Sequence, residues 1–216
     1  MAEHLTEEEQ LAAVKDFWDR YGTWILIGLV AIGGAYFGNN YYRDLQQTKA
    51  EGASEVYQAY QENLDDQALS KRYSDQLDTE YAGTAYQVFS LLKRAQQSHE
   101  AGDSDDGEPN SNLAATIDLL EQAVTAADHP RLRDLANLRL ARARQAAGDS
   151  ASALAALAAV EGEGYRGLVA ELKGDIHAMG GETALAREAY EAAKALVTED
   201  RPRPILDMKM ANLPQG

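Results

Sequence analysis

The chain has 216 residues, no cysteine and a formal charge of −15. The missing cysteine excludes disulfides, thiolate metal sites and a cysteine nucleophile, and fits a reducing or an oxidising compartment equally. The acidic balance repels phosphate backbones, which argues against nucleic acid as a partner. Beyond the first forty residues the chain is rich in Ala, Leu, Glu, Asp and Gln with few β-branched runs, a composition that favours helix.

The first twenty residues carry Lys15 and Arg20 against Glu3, Glu7, Glu8, Glu9, Asp16 and Asp19. Thr6 followed by Glu9 has the spacing of a capping box. Leu11, Val14, Trp18 and Tyr21 then fall on one helical face. Residues 6–20 therefore read as an amphipathic helix near a membrane surface.

Residues 21–42, "YGTWILIGLVAIGGAYFGNNYY", contain no charge. At 1.5 Å per residue such a helix reaches about 33 Å, enough to cross a hydrocarbon core. Ile25, Leu26, Ile27, Leu29, Val30, Ile32 and Phe37 together favour insertion by roughly 2 to 4 kcal/mol, less what the glycines and polar flanks remove. Trp18, Tyr21 and Trp24 stand at one end and Tyr36, Tyr41 and Tyr42 at the other, the placement of interfacial belts that contact membrane lipid. A buried soluble helix rarely runs so long without a charge. A cleaved signal peptide wants a short basic start, and this start is acidic. The reading is a membrane-spanning helix. Lys15 and Arg20 before it balance Arg43 and Lys49 after it, so charge leaves its orientation open. Gly28, Ala31, Gly34, Ala35 and Gly38 share one face, and Gly34 and Gly38 form a G-x-x-x-G pair on which another helix could pack.

Helices are expected at 45–64, 68–77 and 83–102, the last ended by Gly102. Residues 103–112, "DSDDGEPNSN", form a polar loop that lacks the order of a calcium loop. Helices resume at about 112–127, 131–147, 150–160, 164–179 and 182–197. Asp128 is the expected cap of the second of these, with Pro130 in its first turn. Gly162 in "GEGYRG" is read as a helix C-cap between two repeat helices, and phosphate cradling there is disfavoured. Gly148 recurs at Gly181, Ala153 at Ala186, Leu157 at Tyr190 and Ala141 at Gly174, each 33 residues on. A period near 34 with paired helices is the tetratricopeptide pattern. Gly174, Ala186, Tyr190 and Ala193 take its small and bulky positions, with Tyr190 expected to fill the gap toward the neighbouring pair. Lys173 and His177 depart from the pattern, and Thr198 stands where proline is usual. Gly102-Asp103 precedes Gly148-Asp149 by 46, one repeat plus an insertion. Leu206, Met210 and Leu213, after a stiff Arg-Pro-Arg-Pro, form a stripe suited to capping the stack.

No catalytic constellation appears. His4, His99, His129 and His177 are scattered, and no nucleophile elbow, Walker or dinucleotide motif follows a strand. No catalytic, cofactor-binding or metal-binding residue is assigned, and no cofactor is expected. The fold class is all-α: one N-terminal transmembrane helix followed by a tetratricopeptide-like helical-repeat solenoid. The expected divisions are 1–20, 21–42, connecting helices at 43–82, and a repeat domain at 83–216 with a C-terminal capping helix. A concave repeat face would bind a partner, and the acidic net charge favours basic patches with affinity falling at high salt.

"QLAAVKDFWDRYGTWILIGLVAIGGAYFGNNYY", "LRLARARQAAGDSASAL", "GEGYRGLVAELKGDI" and "MKMANL" resemble blocks of the YfgM family, bacterial inner-membrane proteins with one span and a tetratricopeptide-like domain. The resemblance implies a type II topology, with residues 1–20 cytoplasmic and the large domain periplasmic. It also implies association with the SecYEG translocon and with the membrane-anchored periplasmic chaperone PpiD. It carries over no catalytic residue. The corresponding function is a scaffold; the alternative is a holdase-type chaperone that binds unfolded clients in the groove.

Overall fold

The computed structural model describes residues 7–104, 112–196 and 204–214. Thr6 of the expected capping box, His4, most of the acidic loop, Thr198 and the Arg-Pro-Arg of residues 201–203 lie outside them. Among the described residues all regular structure is helical. Two compact units divide between Lys49 and Ala50.

In the first unit one helix, α1 (Glu7–Glu62), begins and runs without interruption through the leader and the uncharged stretch before ending in the second unit. It is the one described helix long and apolar enough to cross a membrane. Its apolar side chains are uncovered: Trp24, Leu29, Val30, Ile32 and Phe37 all lie exposed. A core helix of a soluble protein would bury them at about 1.5–3 kcal/mol each. Lipid is the solvent that such an all-round apolar surface suits. The Trp18 ring folds back over Gly22, where a Cβ would come within 3.1 Å of it.

The second unit is a stack of antiparallel helices. The end of α1 is followed by α2 (Gln67–Thr79) and then three pairs: α3 (Ala85–Ser104) with α4 (Leu113–Ala126), α5 (Pro130–Ala146) with α6 (Ser150–Ala158), and α7 (Arg166–Met179) with α8 (Thr183–Ala195). A terminal helix, α9 (Pro204–Ala211), closes the described order. From α2 onward each helix packs on the next, and α5 also touches α3 and α7, the nearest-neighbour pattern of a solenoid. The 33-residue period is visible atom by atom. Gly148 and Gly181 both take positive φ, 78° and 75°. Asp149 N–H donates to Arg144 O and Glu182 N–H to His177 O, so both turns are closed by the same six-residue bond. Ala153 and Ala186 are both fully buried, as are Leu157 and Tyr190, which occupy one register.

Four local expectations are corrected. Gly102 does not end its helix: α3 continues to Ser104 and Gly102 is buried within it. A single helical glycine costs only about 0.5–1 kcal/mol, which leaves continuation open to it. The cap of α5 is His129, not Asp128; its Nδ1 accepts from Arg131 N–H at 3.2 Å, with Pro130 at the first position. Gly162 is no C-cap either. The helix before it ends at Ala158, and Gly162 has extended backbone at the start of a 3-10 turn (Glu163–Tyr165). Its φ is ordinary; what excludes a side chain is Asp134, whose Oδ2 would lie 2.7 Å from a Cβ. Tyr190, finally, does not only face outward from its pair. Its ring lies on Gly174 of its own pair, 2.4 Å from where a Cβ would stand.

Candidate protein-binding groove

Three helices build an apolar groove of about 410 Å³. From α3 come Leu92, Ala95, Gln96 and His99, and from α5 come Arg139, Arg142, Ala143 and Ala146. Both sets follow the i, i+3, i+4, i+7 spacing of one helical face. Thr116 and Leu120 of α4, one turn apart, close the floor. Leu92, Ala95, Leu120 and Ala143 are buried in the main core, so the floor is the upper surface of that core. The walls are polar. Gln96 Nε2 donates to Glu100 Oε1 at 2.8 Å, and Thr116 Oγ1 donates to Asn112 O at 3.0 Å.

The arginines of α5 divide by role. Arg144 holds the stack: one guanidinium nitrogen meets Glu121 Oε1 at 2.6 Å and the other donates to Ser152 O at 3.1 Å, tying α5 to α4 and α6. Arg133 donates twice to Ala127 O. Arg139 and Arg142 are exposed on the groove rim, and no carboxylate among the described residues pairs with either. No described cluster of His, Asp and Glu has the composition to hold a metal ion.

Two polar clusters outside the groove fix the stack. Asp134, buried in α5, accepts from Glu161 N–H and Gly162 N–H, both at 3.1 Å. The glycine-rich loop does cradle an anion, and the anion is the protein's own carboxylate. Asp134 had a sequence signal: it falls in register with Leu138 and Ala141 on the core face of its helix, where a carboxylate needs donors. At the other end Lys209 of α9 reaches Glu171 at 2.9 Å and Asp175 at 2.7 Å on α7, with its ammonium 5.9 Å from the Tyr190 ring centroid. Tyr190 donates to Asp175 Oδ1 at 2.8 Å. Burial alone would lower the Lys209 pKa, but the Asp175 and Glu171 carboxylates outweigh it and hold it above the usual lysine value. Burial, then the Asp175 hydrogen bond, raises the Tyr190 hydroxyl well above an ordinary tyrosine. Nothing in the sequence pattern singled out Lys209, because its partners lie 34 and 38 residues away.

The residues assigned from sequence are placed as follows. Ala153, Leu157, Gly174, Ala186, Tyr190 and Ala193 are all buried at helix contacts in the repeats. Tyr190, Ala186 and Ala193 form one cluster with Leu206 and Leu213, and Met210 packs on it. Gly28, Gly34 and Gly38 face open space, with nothing within 4 Å of a Cβ, and Ala31 is exposed beside them. Trp18, Tyr21, Trp24, Tyr41 and Tyr42 are exposed. Arg139 and Arg142 were not singled out from sequence, since helical surface arginines are ordinary until a concavity is placed between them.

Known proteins agree with this architecture from end to end. Residues 15–215 match the model of the tetratricopeptide repeat-like domain family. The "Ancillary SecYEG translocon subunit" of Haemophilus influenzae is 28% identical over 214 residues, covering 99% of this chain and 100% of that one. The protein of the same name from Escherichia coli is 28% identical over 213 residues, 96% of each chain. That from Aggregatibacter actinomycetemcomitans is 27% identical over 196 residues, 90% of this chain and 91% of that one. No solved structure matches. With a family match over nearly the whole chain, the 33-residue recurrence of turns, and YfgM-like blocks at both ends, the chain belongs to the tetratricopeptide repeat-like family in the YfgM line.

Proposed function

We propose that this protein is a non-enzymatic scaffold, held by one N-terminal span in the bacterial inner membrane, that associates with the SecYEG translocon. In this reading the repeat unit lies on the periplasmic side in a type II topology and links the translocon to periplasmic chaperones such as PpiD. The observation that carries it is the full-length similarity to three relatives named ancillary SecYEG translocon subunits, which spans anchor and repeats together. Tethering supplies the physical rationale. A partner held beside the translocon on a short linker meets it at millimolar effective concentration, so weak contacts suffice. The open glycine face of α1 offers a surface for another membrane helix. Site-specific photo-crosslinking from Gly34 and from the repeats in native membranes tests the proposal. Translocon subunits are expected among the trapped partners; recovery of no membrane protein from either position overturns it.

The apolar floor of the α3–α5 groove favours a second reading, a holdase that binds unfolded clients directly. Suppression of model-client aggregation by the full chain in nanodiscs, at stoichiometric ratio, would support it.

A further inference from the structure

The net charge points to basic partners, but the groove carries the opposite sign. Its rim holds Arg139 and Arg142, one turn apart on α5 and unpaired among the described residues, while Arg144 and Arg133 of the same helix are both engaged. In a chain of formal charge −15, two free guanidinium groups over one apolar floor are a local inversion. Arginine's fork is shaped for carboxylates, and each such bond is charge-assisted. Between the arginines and α3 the floor is Leu92, Ala95, Leu120 and Ala143, with Gln96 and Thr116 among the lining residues. At about 410 Å³ the groove is within the size range of ligand clefts. An acyl chain would lay hydrocarbon along the polar Gln96 and Thr116 side chains of the lining, which it cannot pair with. A peptide brings its own backbone donors and acceptors to such a lining.

We propose that the α3–α5 groove binds a short acidic-flanked apolar segment of a partner protein, its apolar side chains on the Leu92–Leu120 floor and its carboxylates on Arg139 and Arg142. This deepens the scaffold reading and rests on it, by naming the chemistry of the segment that the repeats hold. Most of the surface repels acidic chains, so only a segment that reaches this inversion gains the two arginine contacts. The arrangement therefore selects among partners as well as binding them.

The test uses the full-length chain in phosphatidylcholine nanodiscs and fluorescent peptides: acidic-flanked DELLAFED, basic-flanked KRLLAFRK and a polar-core control DEGSSGED. Anisotropy titrations should show DELLAFED binding at least about tenfold more tightly than either other peptide. The double variant Arg139→Ala/Arg142→Ala should weaken it by roughly tenfold to a hundredfold. Arg131→Ala, the loss of one positive charge outside the groove, should leave it unchanged, and each single groove variant should weaken it. Both groove arginines are exposed, so thermal melts of the variants should match the parent. Equal binding of the basic-flanked peptide, or DELLAFED binding indifferent to the double variant, overturns the proposal. So does arginine-dependent binding of short-chain phosphatidylglycerol in place of the peptide. None of these readings involves the translocon. Failure here together with crosslinks from Gly34 to the translocon would leave the scaffold reading standing, and loss of those crosslinks would remove it whatever the peptides do.

Discussion

Gly174 and Tyr190 show what one missing methyl group does. A Cβ at Gly174 would stand 2.4 Å from Tyr190 Cε1, so Gly174→Ala forces the ring off its site and away from Asp175. Alanine gains about 1 kcal/mol of helix propensity over glycine. Overpacking costs about 1–3 kcal/mol, and the Tyr190 bond is lost besides. The clash wins, and chemical denaturation should show a net loss of about 1–2 kcal/mol. Asp134 is a second such point. Asp134→Ala removes both bonds that a carboxylate accepts from the 161–162 loop, each contributing about 1.5–3 kcal/mol as a hydrogen bond to a charged group. Hydrogen exchange at Glu161 and Gly162 should accelerate with a matching fall in melting temperature, whereas an exposed carboxylate such as Asp65 can be replaced without either change.

The terminal helix is anchored by Leu206 and Lys209, with Met210 packed beside the leucine and Asp207 paired to Lys194. Leu206 is 1% exposed, and Leu206→Ala should cost about 2–5 kcal/mol, with protease cleavage appearing first around α9. Lys209 adds a pH-dependent part. Its folded pKa lies above the ordinary lysine value of 10.5, so its contribution is complete below that value and disappears as pH rises through the folded pKa. Wild type should therefore exceed Lys209→Met in melting temperature by a constant margin through neutral pH, and the margin should close only in strong alkali. Asp149 acts at the other end of the scale. Hydrogen bonds from Ser152 lower its pKa below 3.8, so its capping contribution is present above that value and lost as pH falls through the folded pKa. Most elements were legible: the uncharged run marked the anchor, 3.6-residue periodicity marked the repeat helices, and the glycines at 148 and 181 marked two turns, while the union of leader, anchor and residues 45–62 in one helix was not foreseen. What periodicity could not give was any contact made across the stack. Asp134 to Gly162, Lys209 to Asp175 and the arginine-rimmed groove all join residues 20 or more positions apart, and spacing within one helix is silent about them. Gly162 was misread for the same reason, since its constraint comes from a side chain on another helix.

At the scale of the molecule, one helix carries the chain from an apolar to an aqueous environment. The anchor's uncharged stretch is its weakest point. Leu29→Arg costs about 2.5–3.5 kcal/mol of insertion free energy, comparable with the whole favourable sum. The variant should appear largely in the carbonate-soluble fraction, while full retention would mean that neighbouring spans, rather than lipid, hold the helix. The repeat unit, by contrast, should tolerate loss at either end gradually, because each pair leans only on its neighbours. Its two equivalent glycine turns carry that modularity further. The backbone leaves Gly148 and Gly181 in the same left-handed state, closed by the same bond, over the same buried alanine. A splice that joins one turn to the other therefore meets matching geometry on both sides of the seam. Excising the intervening 33 residues, or copying them once more, should change the number of stacked helices and spare the turns between them, so the repeat unit can be shortened or extended without redesigning a single corner.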